Sequence, residues 1–165
     1  EMCIRDRLDT VSRAESEREL AQIREELTEQ GYLRKQKGKQ RPQAALPPLE
    51  FTSSDGFKIL VGRNNTQNDK LTLKIANKND MWLHTKDIHG SHTVVFAEGR
   101  EISDTAILEA AQLAAYYSKA RESSQVPVDY TLVRYVSKPS GARPGMVIYV
   151  NNKTVYVTPK ANISK

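Results

Sequence analysis

A helical spacing of apolar residues marks the first part of the chain. Leu20, Ile23 and Leu27 recur at 3–4 spacing in a stretch rich in Glu, Arg, Leu and Ala, which predicts a helix over 9–30 that ends before Gly31. This apolar seam is too narrow to pack a globular core. The segment is therefore predicted to be the end of a coiled coil or helix hairpin whose partner helix lies outside this sequence, with a frayed, solvated helix as the alternative.

Alternating apolar and polar residues predict short β-strands in the rest of the chain. They cover 49–52, 57–61, 81–84, 93–97, 130–136, 146–150 and 154–157. Turn residues at 53–56 join the first two strands as a hairpin, and Asn151-Asn152 makes the last tight turn.

Two helices are predicted among these strands. The clearer one covers 103–121, with Ser103 or Asp104 as its cap and a broad apolar stripe. The other covers 68–76, is capped by one of its first two residues, and has a pattern that fits a helix or a strand. The order ββ(α)ββαβββ predicts an α+β fold, with a mainly antiparallel sheet, two packed helices and a preceding coiled-coil-like helix.

The chain therefore divides into three predicted segments. Residues 1–32 form the end of the coiled-coil helix, 33–48 a basic, Pro-rich linker, and 49–165 a compact domain. For residues 1–8 two origins stay open, a non-native remnant or a piece of a longer chain.

Composition and charge narrow the function classes. The net charge of +5 and pI near 9.3 favour polyanion binding only weakly. The excess is uneven, with −4 over 9–30, +5 over 33–41 and +4 over 50–165. One cysteine, Cys3, cannot form an internal disulfide, and the chain shows neither a membrane-length apolar run nor a signal peptide. A cytoplasmic protein without a membrane anchor is expected.

The densest polar cluster lies at 82–92, which holds the only tryptophan and all three histidines. Trp82 and the imidazoles offer surfaces on which a base can stack, Lys86 offers a phosphate contact, and Gly90 allows close backbone approach. The alternative is structural, with Trp82 anchoring the core and His92 as a buried, hydrogen-bonded histidine.

Metal binding and nucleophilic catalysis are two other possible functions of this cluster. His84, His89 and His92 are candidate zinc ligands, but their spacing across a glycine-containing loop argues against a metal site. Ser91 beside His92 suggests a nucleophile and its base, yet adjacent strand residues point to opposite faces, and there is no G-x-S-x-G elbow. A non-enzymatic module without catalytic residues, metal or cofactor is expected.

Two loops carry further candidate RNA contacts. The loop 62–70 combines amide side chains with two basic residues and a predicted helix start. The loop 138–145 holds Lys138 and Arg143 between two prolines and two glycines, so it would lose little entropy on binding. The structural alternatives are helix capping in the first loop and a plain strand connection in the second.

These constellations, in this order, resemble a known family. The runs VGRNNTQNDKLTLKIANKNDMWLHTKDIHGSHTVV and KPSGARPGMVIY resemble the NFACT-R domain of the RqcH/NEMF ribosome quality-control family, whose bacterial members were also named fibronectin-binding protein A. The resemblance covers about 49–160 through the motifs G-R-N, N-D-x-L-T, W-L-H and G-S-H, and the preceding helix is similar to the end of the family's coiled coil. His89 departs from the pattern, because many relatives have proline there.

The resemblance implies a role in ribosome-associated quality control. Family members bind the large ribosomal subunit that carries stalled peptidyl-tRNA, recruit tRNA and promote C-terminal tailing, with alanine in bacteria. The implied partners of this chain are tRNA and the rRNA of the large subunit. The implied RNA contacts are Arg63, Asn64, Asn65, Asn68, Asp69, Trp82, His84, Lys86, Gly90, Ser91, His92, Lys138 and Arg143.

The family's tailing residues lie in an N-terminal domain that this sequence does not contain, so tailing is not expected from this chain alone. Two other functions stay open beside RNA binding. One is a cell-surface adhesin fragment that binds fibronectin or fibrinogen, as the family's older name suggests. The other is a protein–protein scaffold.

Overall fold

The structure is a computed structural model that describes residues 17–31 and 44–161. The chain divides into two compact units, Glu1–Pro47 and Pro48–Lys165. Each unit is described by itself.

The described part of the first unit is mainly one helix. Helix α1 spans Glu17–Glu29 and is followed by Gly31, whose φ of 81° is the left-handed conformation that commonly ends a helix. Residues 1–16, which include the segment 1–8 and the start of the predicted helix 9–30, lie outside the described residues, as do residues 32–43, which include most of the predicted linker 33–48. The coiled-coil role of α1 stays a prediction.

The second unit is an α+β domain, which confirms the predicted fold class. Its helices are α2 (Asn65–Lys70) and α3 (Asp104–Tyr116). Its strands are β1 (Leu49–Thr52), β2 (Lys58–Val61), β3 (Met81–Thr85), β4 (Thr93–Val95), β5 (Val126–Leu132), β6 (Val136–Ser137), β7 (Ile148–Tyr149) and β8 (Lys153–Val157). Six strands form an antiparallel sheet in the order β1-β2-β4-β3-β5-β8, and β6 and β7 form a separate hairpin.

Alternation along the strands gives the large sheet two apolar faces. On β2, Ile59 and Val61 belong to the core that α3 covers, which lies on the first face. Leu60 belongs to a second core on the opposite face, together with residues of β3 and β4. That second face is covered by the π-helical turn Leu71–Ile75 and by the β6–β7 hairpin.

Helix α3 begins as predicted and ends earlier. The side chain of Ser103 accepts a hydrogen bond from the backbone N–H of Ala106, so Ser103 is the N-cap. The predicted end at residue 121 is wrong, because Ser118 leaves the helix and forms an isolated antiparallel bridge with Gly90. A tertiary contact therefore stops a helix that the local pattern would continue.

The predicted cap of α2 is also wrong. Asn64 caps the helix, with its Oδ1 accepting a hydrogen bond from the N–H of Gln67 at 2.8 Å. Asn68 and Asp69, the predicted caps, lie inside the helix, and their side chains bind tertiary partners instead. The helical alternative for this segment is confirmed, although its second half is a π-helical turn.

Strand β5 starts four residues before its predicted position. The strand includes Pro127, whose carbonyl accepts a hydrogen bond from the N–H of Lys86 at 2.9 Å. Lys86 lies beyond the end of β3. The N–H that Pro127 lacks therefore costs the paired part of the β3–β5 ladder little. The second half of the predicted strand is the 3-10 turn Val133–Tyr135, which leads into β6.

Candidate nucleic-acid interface

The tryptophan predicted to stack on RNA lies at the centre of the second face. Trp82 is 1% exposed, and three rings surround it. The His84 ring stacks on it with centroids 5.8 Å apart, the His92 ring meets it edge-on at 5.3 Å, and the Tyr149 ring lies at 4.7 Å. In this conformation no base can reach the indole, so the geometry supports the core alternative for Trp82.

His92 is also buried, and both of its ring nitrogens have partners. Its Nδ1 lies 2.8 Å from the hydroxyl of Thr72, and its Nε2 lies 3.1 Å from the carbonyl oxygen of Gly145. Burial lowers the pKa of His92 to about 3, with the neighbouring His84 acting in the same direction. The neutral ring donates from Nε2 to Gly145 and accepts at Nδ1 from the Thr72 hydroxyl.

His84 is held between two carbonyl groups. Its Nδ1 lies 2.7 Å from the carbonyl oxygen of Thr85, and its Nε2 lies 3.3 Å from that of Gly90. Burial lowers the pKa of His84 below its usual value. A neutral ring has one N–H to donate, and the shorter contact assigns it to Nδ1.

The loop after β3 combines one exposed base with a tightly packed glycine. Lys86 is exposed, as its predicted role requires. A Cβ on Gly90 would lie 2.8 Å from the Thr85 hydroxyl oxygen and 3.0 Å from Cβ of Ser118. Gly90 is therefore required by packing against the chain itself. The N–H of Ser91 donates to the carbonyl oxygen of Tyr117 at 3.2 Å.

The loop 62–70 and the loop 138–145, which connects β6 and β7 and is called the hairpin loop here, were predicted as separate RNA contacts. In the structure the two loops are hydrogen-bonded to each other. Oδ2 of Asp69 lies 2.8 Å from Nζ of Lys138, and Oδ1 accepts a hydrogen bond from the N–H of Gly145 at 2.9 Å. The same Nζ donates to the carbonyl oxygen of Arg143 at 2.7 Å. Lys138 thus closes the hairpin loop and ties it to α2.

Asn65 and Asn68, also predicted contacts, are buried. The Oδ1 of Asn68 accepts a hydrogen bond from the N–H of His92 at 3.2 Å. Asn65 packs under the hairpin loop, since a Cβ on Gly145 would lie 2.7 Å from its Oδ1. Both amides join the loop at the start of α2 to the parts of the chain that pack on it.

Replacing Asp69 by alanine is expected to reduce the free energy of unfolding by about 1–3 kcal/mol, because the Gly145 N–H and the Lys138 ammonium lose their acceptor. Chemical denaturation measures this change. Faster amide hydrogen exchange at Gly145 is expected with it. The adjacent exposed residue supplies the control, since Lys70→Ala should change stability by less than about 0.5 kcal/mol. Equal stability of the two variants would contradict the tie between α2 and the hairpin.

Comparison with known proteins gives the family. Residues 48–151 match the family described as the NFACT protein RNA binding domain. The chain belongs to the NFACT-R family.

Named relatives support this assignment to the NFACT-R family. The chain is 51% identical over 150 residues to the Rqc2 homolog RqcH of Bacillus subtilis (strain 168), covering 89% of this chain and 26% of that protein. It is 45% identical over 153 residues to the RqcH of Streptococcus suis (strain 05ZYH33), covering 92% of this chain and 27% of that protein. The NFACT-R chain thus spans about a quarter of these relatives.

A solved structure shares the fold of this NFACT-R chain. It is described as the C-terminal of the fibronectin/fibrinogen-binding protein from Streptococcus suis, and it superposes with a TM-score of 0.87 at 43% identity. The match covers 94% of this chain and 62% of that one.

The predicted contact residues of the NFACT-R domain fall into two groups. Buried ones are Asn65, Asn68, Trp82, Gly90 and His92. Partly or fully exposed ones are Arg63, Asn64, Asp69, His84, Lys86, Ser91, Lys138 and Arg143. Lys86 and Arg143 are the exposed members. Asn64 caps a helix, and Asp69 and Lys138 form an ion pair. RNA contact by each of these residues stays a prediction.

Positive charge is concentrated in the segments of the NFACT-R domain that cover the second face. The segments 62–80 and 133–150, which cover the second face and are called the basic layer here, carry seven basic and two acidic residues, a net charge of +5. The remainder of 44–161 carries seven basic and nine acidic residues, a net charge of −2. Both acids of the basic layer, Asp69 and Asp80, accept hydrogen bonds from the protein itself.

Four bases of the NFACT-R basic layer were not among the predicted contacts: Lys70, Lys74, Lys78 and Arg134. All four are exposed. The sequence alone shows the excess of basic residues in 62–80 and in 133–150. Only the fold brings the two segments onto one face of the sheet.

Membrane-spanning helices and clusters of metal ligands were also looked for among the described residues. Within 17–31 and 44–161, no helix has the length and hydropathy to cross a membrane. In the same ranges, no three His, Cys, Asp or Glu side chains come together as metal ligands.

Proposed function

We propose that this chain is an RNA-binding module of a ribosome-associated quality-control factor, with tRNA or the rRNA of the large subunit as its ligand. The observation that carries the proposal is the net charge of +5 in the segments that cover the second face, in a domain whose remaining residues carry −2. Segregated positive charge attracts the phosphate backbone and orients the domain on it. The family description and the RqcH relatives support the same role.

The RqcH relatives and the family resemblance also support a proposal for the wider role of the module. In a cytoplasmic protein of this kind, it would help to hold stalled large-subunit peptidyl-tRNA complexes and so support C-terminal alanine tailing by other domains. We propose no enzymatic activity for it. Both ring nitrogens of His92, the neighbour of Ser91, lie within hydrogen-bond distance of Thr72 and Gly145, which supports a structural role for the Ser-His pair.

The salt dependence of tRNA binding tests this function. We expect labelled tRNA titrated with the 165-residue chain to give saturable anisotropy changes that weaken steeply from low to physiological salt. Lys74→Glu replaces an exposed positive charge of the basic layer by a negative one, and the loss of one phosphate contact should lower the slope of log affinity against log salt by about one. Lys160→Glu, an equal charge change at an exposed site outside the layer, should bind like the wild type.

Lys86→Glu belongs in the same titration, because Lys86 is the exposed base of the Trp/His segment. Weaker binding would extend the interface beyond the basic layer, and unchanged affinity would remove Lys86 from it. If the wild type does not bind tRNA even at low salt, or if Lys160→Glu weakens binding as much as Lys74→Glu, the proposed function is wrong.

A second candidate function is binding of fibronectin or fibrinogen. The similar Streptococcus suis protein is named for binding these two proteins, and it shares the fold of this chain. Immobilised fibronectin and fibrinogen test the same activity for this chain. Binding that persists at high salt while tRNA binding is absent would favour this second function.

A further inference from the structure

The outer surface of the β6–β7 hairpin is unusual for the surface of a small domain. Val136 and Tyr149 face inward onto the second core, so the neighbours that alternate with them face outward. Those neighbours include two aliphatic residues, Ile148 and Val150, which are each 59% exposed. Tyr135, the last residue of the 3-10 turn that leads into β6, is 38% exposed. The three are called the hairpin patch here.

The members of the hairpin patch are neighbours on the hairpin. The N–H of Val150 donates to the carbonyl oxygen of Tyr135 at 3.2 Å, so these two residues lie opposite each other on the two arms. Ile148 lies two residues from Val150 on the same arm, roughly 7 Å away along the strand. Clustered exposed apolar residues of this kind commonly mark a binding surface.

The hairpin that carries the patch is held to the domain at several points. Lys138 and the N–H of Gly145 bind Asp69, and the Gly145 carbonyl lies 3.1 Å from Nε2 of His92. The Tyr149 hydroxyl donates to the buried carboxylate of Asp129 at 2.6 Å. A surface held in this way loses little conformational freedom when a ligand binds it.

The charge around the patch indicates the ligand. The patch lies within the basic layer, and Arg134 is the neighbour of Tyr135 on the same turn. Apolar residues surrounded by positive charge fit a ligand that combines apolar faces with negative groups. Unpaired nucleotides have both, since each base has a flat face and each link a phosphate. Duplex RNA instead presents phosphates and ribose hydroxyls, for which Ile148 and Val150 have no partner.

We propose that the hairpin patch is the surface on which this domain receives unpaired bases of RNA, with Tyr135 as the stacking ring and the basic layer as the phosphate contact. The proposal rests on the proposed RNA binding and deepens it. The proposal also gives Trp82 and His92, which lie beneath the hairpin, a structural role. They support the hairpin patch and do not contact the ligand.

The test compares matched residues inside and outside the patch. Tyr135→Ala and Val150→Ser change the patch. Tyr156→Ala and Leu108→Ser are their controls, because Tyr156 is 65% exposed and Leu108 45% exposed, both outside the basic layer. Each variant is titrated onto a labelled single-stranded oligoribonucleotide of mixed sequence and onto a blunt RNA duplex. Fluorescence of the only tryptophan, Trp82, reports whether each variant is folded.

We expect Tyr135→Ala to weaken single-strand binding about tenfold, the loss of one stacked base, and Val150→Ser to weaken it less. The salt dependence should stay unchanged in both, because neither variant removes a phosphate contact. Both controls should bind like the wild type, and the wild type should prefer the single strand over the duplex. If Tyr135→Ala does not fold, Val150→Ser carries the test.

Wild-type affinity in the folded patch variants, equal losses in the controls, or a preference for the duplex would overturn the proposal. If Lys74→Glu weakens binding while the patch variants do not, the basic layer binds RNA, the proposed function stands and the patch faces another partner. If the wild type binds neither RNA, both proposals fall.

Discussion

Replacing Trp82 by alanine is expected to lower the free energy of unfolding by about 3–5 kcal/mol. The indole is 1% exposed and packs against the rings of His84, His92 and Tyr149, so its removal leaves a cavity that these neighbours cannot easily fill. The loss should also loosen the β6–β7 hairpin, because Tyr149 would lose one of the surfaces on which it rests.

Chemical denaturation followed by far-ultraviolet circular dichroism measures this effect, since the variant has no tryptophan left to report by fluorescence. Tyr156→Ala is the matched control. Its ring is 65% exposed, and its removal should cost less than about 0.5 kcal/mol. A Trp82→Ala protein that unfolds at the wild-type denaturant concentration and yet binds RNA poorly would show that the ring faces the ligand, against the packing described above.

Acidification is expected to destabilise the domain from about pH 6.5 downward, through His92. The folded protein holds His92 neutral, with a pKa of about 3 because of burial, whereas the unfolded chain protonates it near its ordinary pKa. Below the unfolded pKa, the unfolded state therefore binds more protons. Each pH unit should remove about 1.4 kcal/mol of stability until the pH approaches the folded pKa. The contribution is fully present above pH 6.5.

His84 adds to this dependence in the same direction, because burial also lowers its pKa. The test is therefore a comparison of slopes of unfolding free energy against pH between about 6.5 and 4. His92→Gln should give a shallower slope than the wild type. Tyr156→Ala, which leaves all three histidines in place and changes an exposed ring, should keep the wild-type slope. Parallel slopes for the wild type and His92→Gln would mean that His92 protonates without unfolding the domain.

Both predictions concern the same part of the molecule, the anchor between the large sheet and the hairpin. The hairpin packs on Trp82 through Tyr149, and Gly145 of the hairpin is hydrogen-bonded to His92 and Asp69. If the hairpin contacts RNA, mild acid and core variants should weaken RNA binding by loosening its support. The patch variants should weaken binding with little change in stability. Measuring stability and affinity on each variant separates the two effects.

Local sequence signals predicted much of the fold. The hairpin of β1 and β2 follows from alternation and turn residues, and the start of α3 follows from a serine cap before an apolar stripe. The end of α3 and the start of α2 were mispredicted for one shared reason. Ser118, Asn68 and Asp69 form tertiary contacts, and those contacts override the local preference of each side chain.

The candidate site was predicted less well than the fold. The sequence identified Lys86 and Arg143, which are exposed. It also identified Trp82 and His92 as RNA contacts, and the structure buries both. Periodicity shows which residues of a strand share a face, but it does not show what covers that face. For Trp82 the covering element lies more than fifty residues further along the chain.

By itself, the sequence determined the fold class, most elements of the second unit and the motifs that resemble the NFACT-R family, because strand alternation, helix caps and turn residues are local properties. Only the tertiary structure decided which of its polar and aromatic residues face solvent. That choice depends on long-range packing, in which Asp69 meets Gly145 and His92 meets the same glycine. The same packing joins two basic segments, distant in sequence, into one layer on the second face.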